Sequence, residues 1–192
     1  MHSPDPAPVA SGSACPLGSV RTTGVDCGTG RSRAERKAVS LPAALLHKMK
    51  AHARETYPEE CCGFLIGEAT DAEGDGCRTI IALERARNDF EGPRRRRFLI
   101  PAEELREVER RIERSGRAVV GFYHSHPDQP ARPSRLDQDN AWPGYSYVVL
   151  AVTSTGVPAA RAFELDPDSL TFREVRLPLV EAPALAPAAV GG

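Results

Sequence analysis

The sequence predicts a layered domain of the α/β or α+β class, helices packed on a largely buried β-sheet. Three observations predict it. Residues 41–57 and 101–116 carry apolar side chains at helical spacing. Residues 62–67, 78–84, 117–123 and 145–153 are apolar-rich segments of strand length. The two kinds of segment are mixed along the chain, so helices and strands must share one core.

Taken in order, residues 1–38 are rich in Pro, Gly, Ser, Thr and charge, have no apolar period, and read as a disordered leader. Ser40 suits an N-cap and Pro42 a first helical turn. The helix predicted over 41–57 has Leu45, Met49 and Ala53 on one face, with Leu46 and Tyr57 alongside, and stops at Pro58. Cys62 to Gly67 is a short apolar run bounded by glycines, which suits a buried strand. Residues 78–84 are a second strand. Pro101 opens another helix, with Leu105, Val108 and Ile112 on one face and Gly116 as its stop. Residues 117–123 and 145–153 are the third and fourth strands, and 160–165 with 171–176 form a closing hairpin. The folded domain is expected over 39–177, followed by a loose Pro/Ala-rich tail over 178–192.

Composition narrows the function. At 192 residues, 41% hydrophobic and 27% charged, the chain has the length and balance of one ordinary soluble domain. A formal net charge of -1 lacks the basic excess of a nucleic-acid binder. No stretch approaches the roughly 20 apolar residues that span a bilayer. The N-terminus has neither the basic start nor the apolar run of a secretory signal. The five cysteines, Cys15, Cys27, Cys61, Cys62 and Cys77, are odd in number and contain no C-x-x-C pair. Reduced thiols in a cytoplasmic protein are the expectation, with Cys61 and Cys62 as packing residues.

The informative stretch is Gly121 to Trp142. His124 and His126 leave the end of a predicted strand, and two residues apart on extended chain their side chains point the same way. Pro127, Pro130 and Pro133 stiffen the loop that follows. Ser134 can cap the next helix, and Asp137, in its first turn, could face back toward the histidines. Two neutral imidazoles and a carboxylate, with a fourth position left to water, make a catalytic zinc set. Simpler readings stand beside this one: H-x-H pairs occur in turns, and Ser134-x-x-Asp137 is a capping box that needs no metal. The readings are compatible, since one aspartate can cap a helix and face a cation.

The string His124-Ser125-His126-Pro127 followed by Ser134-Arg135-Leu136-Asp137, with Glu60-Cys61-Cys62-Gly63-Phe64-Leu65-Ile66-Gly67 ahead of the first core strand, resembles the JAMM signature of JAB/MPN-domain metalloproteases. The resemblance spans about residues 39–176 and is nearest to the compact, single-domain bacterial branch. It implies a central, mostly antiparallel sheet flanked by helices, in a layout distantly like that of cytidine deaminases. It implies one zinc ion per chain, held by His124, His126 and Asp137. It gives Glu60, rather than the adjacent Glu59, the task of holding and deprotonating the attacking water. Read without the resemblance, Glu60 is an exposed carboxylate at a helix end. Ser134 would donate a hydrogen bond to the tetrahedral oxyanion. Asn88, in the loop before Arg94–Arg97, falls where the family's substrate groove tends to be lined. The arginine run itself reads equally as a solvated charge run. The implied reaction is hydrolysis of the peptide or isopeptide bond after the C-terminal Gly-Gly of a ubiquitin-like or sulfur-carrier protein. The alternative is a catalytically silent MPN scaffold that binds protein partners, and such relatives typically lose zinc ligands. A zinc deaminase would need H-x-E and P-C-x-x-C, and neither string occurs.

Overall fold

The computed structural model describes residues 38–69 and 77–181. The expected leader up to Lys37, with Cys15 and Cys27, and the chain beyond Glu181 lie outside the described residues. In chain order the elements are β1 (Ala38–Pro42), α1 (Ala43–Thr56), β2 (Cys62–Glu68), β3 (Cys77–Thr79), β4 (Ala82–Ala86), α2 (Ala102–Ile112), β5 (Arg117–Pro127), α3 (Arg135–Asn140), β6 (Ser146–Thr153), β7 (Gly156–Leu165), β8 (Phe172–Val175) and β9 (Leu179–Val180). A 3-10 turn, Glu113–Ser115, links α2 to β5 and ends at Gly116, whose φ of 70° is left-handed backbone open to glycine.

The main sheet has six strands in the order β4-β2-β5-β6-β7-β8. Every neighbouring pair is antiparallel except β5 and β6, which run parallel. Side-chain alternation splits the sheet into two apolar faces. On one face Leu45, Met49 and Ala53 of α1 pack with Leu65, Tyr123, Val148 and Leu150. On the other, Leu105 and Val108 of α2 pack with Cys62, Phe64 and Val119. The mostly antiparallel sheet flanked by helices is thus the expected architecture. No helix among the described residues is long and apolar enough to cross a membrane.

Three expectations need correction. Ser40 does not cap α1: it lies in β1, and the helix begins at Ala43 after Pro42 with no side-chain cap. Burial decides this, because Val39 and Leu41 are wholly inside and β1 is the middle strand of a small parallel sheet ordered β3-β1-β9. The strand expected over 78–84 is two strands, because the chain changes partners there: Ile80 N–H bonds Ser40 O at 2.9 Å, then Ile81 N–H bonds Ile66 O at 2.9 Å. The strand expected to end at 123 runs to Pro127, so the two histidines sit within it rather than beyond it. In addition, Leu179 and Val180, in the segment expected to be loose, pair with Leu41 and Pro42 as β9.

The parallel β5–β6 pair positions the site. Two parallel neighbours cannot be joined by a tight hairpin, so the chain leaving Pro127 must travel back outside the sheet before β6 begins. That return segment carries α3 past the end of β5.

Candidate metal centre

His124 and His126 share one face of β5, as alternation requires, and lie opposite Val149 and Ala151 of β6. Both are buried, at 2% and 7% exposure. Their Nε2 atoms are 3.0 Å apart. The return segment brings Asp137 to them, with Oδ1 at 3.6 Å from His124 Nε2 and Oδ2 at 3.3 Å from His126 Nε2. Among the described residues these three form the one group of His, Cys, Asp or Glu side chains with metal-ligand spacing. A tetrahedral zinc ion with bonds of about 2.0–2.1 Å puts neighbouring donors about 3.3 Å apart. The separations found here bracket that value, so the donor set fits such an ion.

The capping box is also present. Ser134 Oγ accepts from Asp137 N–H at 3.1 Å, and Asp137 Oδ2 accepts from Ser134 N–H at 2.5 Å. One carboxylate therefore starts α3 and also faces the histidines, so the capping box leaves Asp137 placed where a cation could meet it. Because Ser134 Oγ accepts at the cap, its hydroxyl proton remains to be donated elsewhere.

The charges in this pocket are coupled. Burial holds His124 below its ordinary pKa, with His126 adding to that effect and the hydrogen bond to the Asp137 carboxylate, with its charge, opposing it. Burial also works against a charged His126, but there the hydrogen bond and charge of Asp137, with the charge of Glu60, win and raise the pKa. For Asp137 burial is again outweighed, by bonds to both histidines and to Ser134, and its carboxyl stays well below the usual carboxylate range. The pocket thus drives the two imidazoles in opposite directions, His124 toward the neutral form and His126 toward the protonated one. His126 Nδ1 lies 3.3 Å from Pro130 O, which aims Nε2 inward and fixes the tautomer. His124 Nδ1 is buried without a hydrogen-bond partner among the described residues. Its ring is placed instead by stacking on Phe98, centroids 4.6 Å apart and planes at 28°.

Glu60 is buried at 5% exposure, whereas Glu59 is exposed. The β2–β5 register pairs Cys62 with His124, so continuing it sets Glu60 across from His126. Between them Cys61 is clamped on Ser125: Cys61 N–H donates to Ser125 Oγ at 2.9 Å and Ser125 N–H to Cys61 O at 3.0 Å. Burial, opposed by His126 and helped by Asp137, raises the Glu60 pKa from 4.5 to about 7. A carboxylate with its pKa near neutrality can both take and release a proton at working pH.

Several other residues are now placed. Asn88 has its amide engaged by four backbone groups of the protein: Glu60 O, Arg97 O, Phe90 N–H and Leu99 N–H. Arg94–Arg97 are exposed; Arg95 pairs with Asp128, and Arg97 lies over the Phe90 ring. Asp139 pairs with Arg135 and is exposed. Cys61 and Cys62 are core residues, and burial pushes the Cys61 thiol up to about 11. His52 is buried against Tyr123 OH at 2.9 Å, and burial lowers its pKa to about 4. Sequence reasoning missed Phe98, which touches His124, and Asp128, which accepts from both Tyr57 and Arg95 beside the site. No periodic signal marks either, since both lie in irregular chain.

The described domain is similar to known proteins. Residues 42–166 match the family described as prokaryotic homologs of the JAB domain. A desampylase of Haloferax volcanii is 39% identical over 116 residues, covering 58% of this chain and 78% of the relative. A CysO-cysteine peptidase of Mycobacterium tuberculosis is 28% identical over 138 residues, covering 71% of this chain and 89% of that one. Among solved structures, a Desulfitobacterium hafniense protein aligns with a TM-score of 0.63 at 28% identity, covering 74% of this chain and 93% of its own.

Proposed function

The chain belongs to the prokaryotic JAB-domain family, and from that premise we propose that it is a zinc-dependent peptidase. It cleaves the peptide or isopeptide bond after the C-terminal Gly-Gly of a ubiquitin-like or sulfur-carrier protein. The single observation that carries this reading is the convergence of His124, His126 and Asp137 at 3.0 to 3.6 Å beside a buried Glu60. The relatives named desampylase and CysO-cysteine peptidase support the substrate class.

Bound by the two imidazoles and the Asp137 carboxylate, zinc would polarise the scissile carbonyl and lower the pKa of water to about 7. The chain's own residues supply the rest. Glu60 takes a proton from the attacking water and passes it to the leaving amine, a shuttle suited to a carboxylate with its pKa near 7. The Ser134 hydroxyl, which already accepts at the helix cap, donates its proton to the developing oxyanion. Two glycines next to the scissile bond present no side chains and can enter a groove too narrow for other residues.

The test is to incubate the full chain with sulfur-carrier proteins bearing a C-terminal extension and follow loss of the extension by mass spectrometry. We expect cleavage after Gly-Gly and one zinc per chain. Glu60→Gln should keep the zinc and lose at least about 100-fold in turnover, the order expected when general acid–base catalysis is removed. Replacing the penultimate substrate glycine with leucine should stop cleavage. Normal turnover by Glu60→Gln would remove Glu60 as the base. Protein that stays metal-free in excess zinc would leave the partner-binding scaffold as the better reading.

A further inference from the structure

We propose that Asn88 is a positioning residue of this site, whose side-chain amide ties the loop over residues 87–100 to the backbone of Glu60 and so fixes where that carboxylate stands. The inference rests on the reading of Glu60 as the base.

Glu60 lies just outside the sheet. The β2–β5 ladder ends at the Cys62–His124 pair, and the Cys61–Ser125 clamp extends it by one residue only. Both backbone groups of Glu60 are held instead by the loop. Its N–H donates to Arg94 O at 2.8 Å, and its carbonyl accepts from Asn88 Nδ2 at 3.2 Å. The same Nδ2 donates to Arg97 O at 3.0 Å. Asn88 Oδ1 accepts from Phe90 N–H and from Leu99 N–H, both at 3.2 Å.

A carboxamide has two N–H donors and two acceptor lone pairs, and here all four are in use. The amide cannot be reversed, because that would set two donors against two N–H groups and an acceptor against two carbonyls. No other side chain of this size offers two donors and two acceptors. Aspartate keeps the two acceptor bonds that fold the loop and loses the two donor bonds, one of which holds Glu60. Phe98 belongs to the same loop and stacks on His124. One side chain therefore sets the place of the Glu60 backbone and of the ring that orients His124.

Asn88→Asp separates these functions, and Asn88→Ser, short and neutral, checks that any effect is not due to the added charge. Backbone amide exchange followed by NMR on the full chain reads the tether without reference to activity. In Asn88→Asp the Glu60 amide, held by Arg94 O of the same loop, should exchange at least about tenfold faster once that loop is released from the Glu60 carbonyl, while the Phe90 and Leu99 amides, still facing an acceptor oxygen at position 88, stay protected. With an extended carrier as substrate, kcat should fall about 10- to 100-fold, since small misplacement of a reacting group costs that order. KM should stay within about twofold and zinc at one per chain. Asn88→Ser should show the same loss of kcat. Unchanged protection of Glu60 in both variants overturns the proposal, whatever the activity. A rise in KM with kcat intact overturns it in favour of a direct substrate contact. Failure of the underlying reading shows separately, as wild-type protein that cuts no carrier or a Glu60→Gln variant that cuts normally.

Discussion

Glu60 puts a second carboxylate beside Asp137, and the two respond to the pocket in opposite directions. Asp137 is bonded to both histidines and stays ionised, whereas burial dominates at Glu60 and raises its pKa from 4.5 to about 7. In the unfolded chain Glu60 returns to its ordinary value. Between pH 4.5 and about 7 the folded protein then binds more protons at this position than the unfolded one. Stability contributed by Glu60 therefore falls as pH rises through that window, with no penalty below it and the full penalty above. The upper bound is about 3 kcal/mol, from 1.36 kcal/mol per pKa unit. In chelator-treated protein, Glu60→Gln should thus be more stable than wild type at pH 8 by about 1–3 kcal/mol, and nearly equal to it at pH 4.5. Urea unfolding at the two pH values measures this, and an equal difference at both would show that Glu60 is not buried as described. At this scale the convergence of His124, His126 and Asp137 was legible because H-x-H on extended chain and S-x-x-D at a helix start each impose a direction on a side chain. Glu60 and Glu59 could be separated only by resemblance until burial distinguished them. Asn88 and Phe98 act through tertiary contacts of an irregular loop, and such contacts leave no period in a sequence.

Among the elements, α3 is short, six residues, so its start matters more than its propensity. Its capping box bears on Ser134, whose oxygen caps the helix and whose proton we propose serves the reaction. Ser134→Ala removes both functions, whereas glycine is a tolerable N-cap with no hydroxyl. Ser134→Ala should cost about 1 kcal/mol of stability and Ser134→Gly only a few tenths. Both should lose about 100- to 1000-fold in kcat, the magnitude associated with removing one oxyanion donor. Thermal unfolding and carrier cleavage run in parallel give both numbers. Activity that follows stability, with the glycine variant the more active, would reduce Ser134 to a cap. The element-level reading of the sequence succeeded where an apolar face was continuous, as in α2, β2 and β6. It failed at residues 38–42, where Ser40 and Pro42 carry helix-start signals in a segment whose Val39 and Leu41 are buried in β1. Local capping preference is worth about 1 kcal/mol and yields to burial of two large aliphatic side chains.

At the scale of the whole molecule the small sheet must be fastened to the large one, and a buried ion pair contributes to that fastening. Arg78 of β3 donates to Ser146 Oγ at 2.9 Å, to Gly144 O at 2.6 Å and to Glu164 Oε1 at 3.4 Å. Ser146 and Glu164 are opposite each other on β6 and β7, so one guanidinium links three strands from two sheets. Nothing in the residue pattern marks this link, because a buried arginine in a three-residue strand follows no period. Removing the cation from beside a buried carboxylate is the costly way to break such a pair, whereas replacing both partners with apolar groups is often close to neutral. Arg78→Met should therefore lower stability by about 3–5 kcal/mol. Arg78→Met combined with Glu164→Leu should recover a substantial part of that loss. Ser146 lies opposite Gly121, at the other end of the paired β5–β6 segment from His126 and Ala151, so zinc content should stay at one per chain in both variants. Urea unfolding with metal analysis reads both effects. A single variant that costs less than about 1 kcal/mol, or a double variant no better than the single, would mean that apolar packing of β1, and not this ion pair, joins the two sheets.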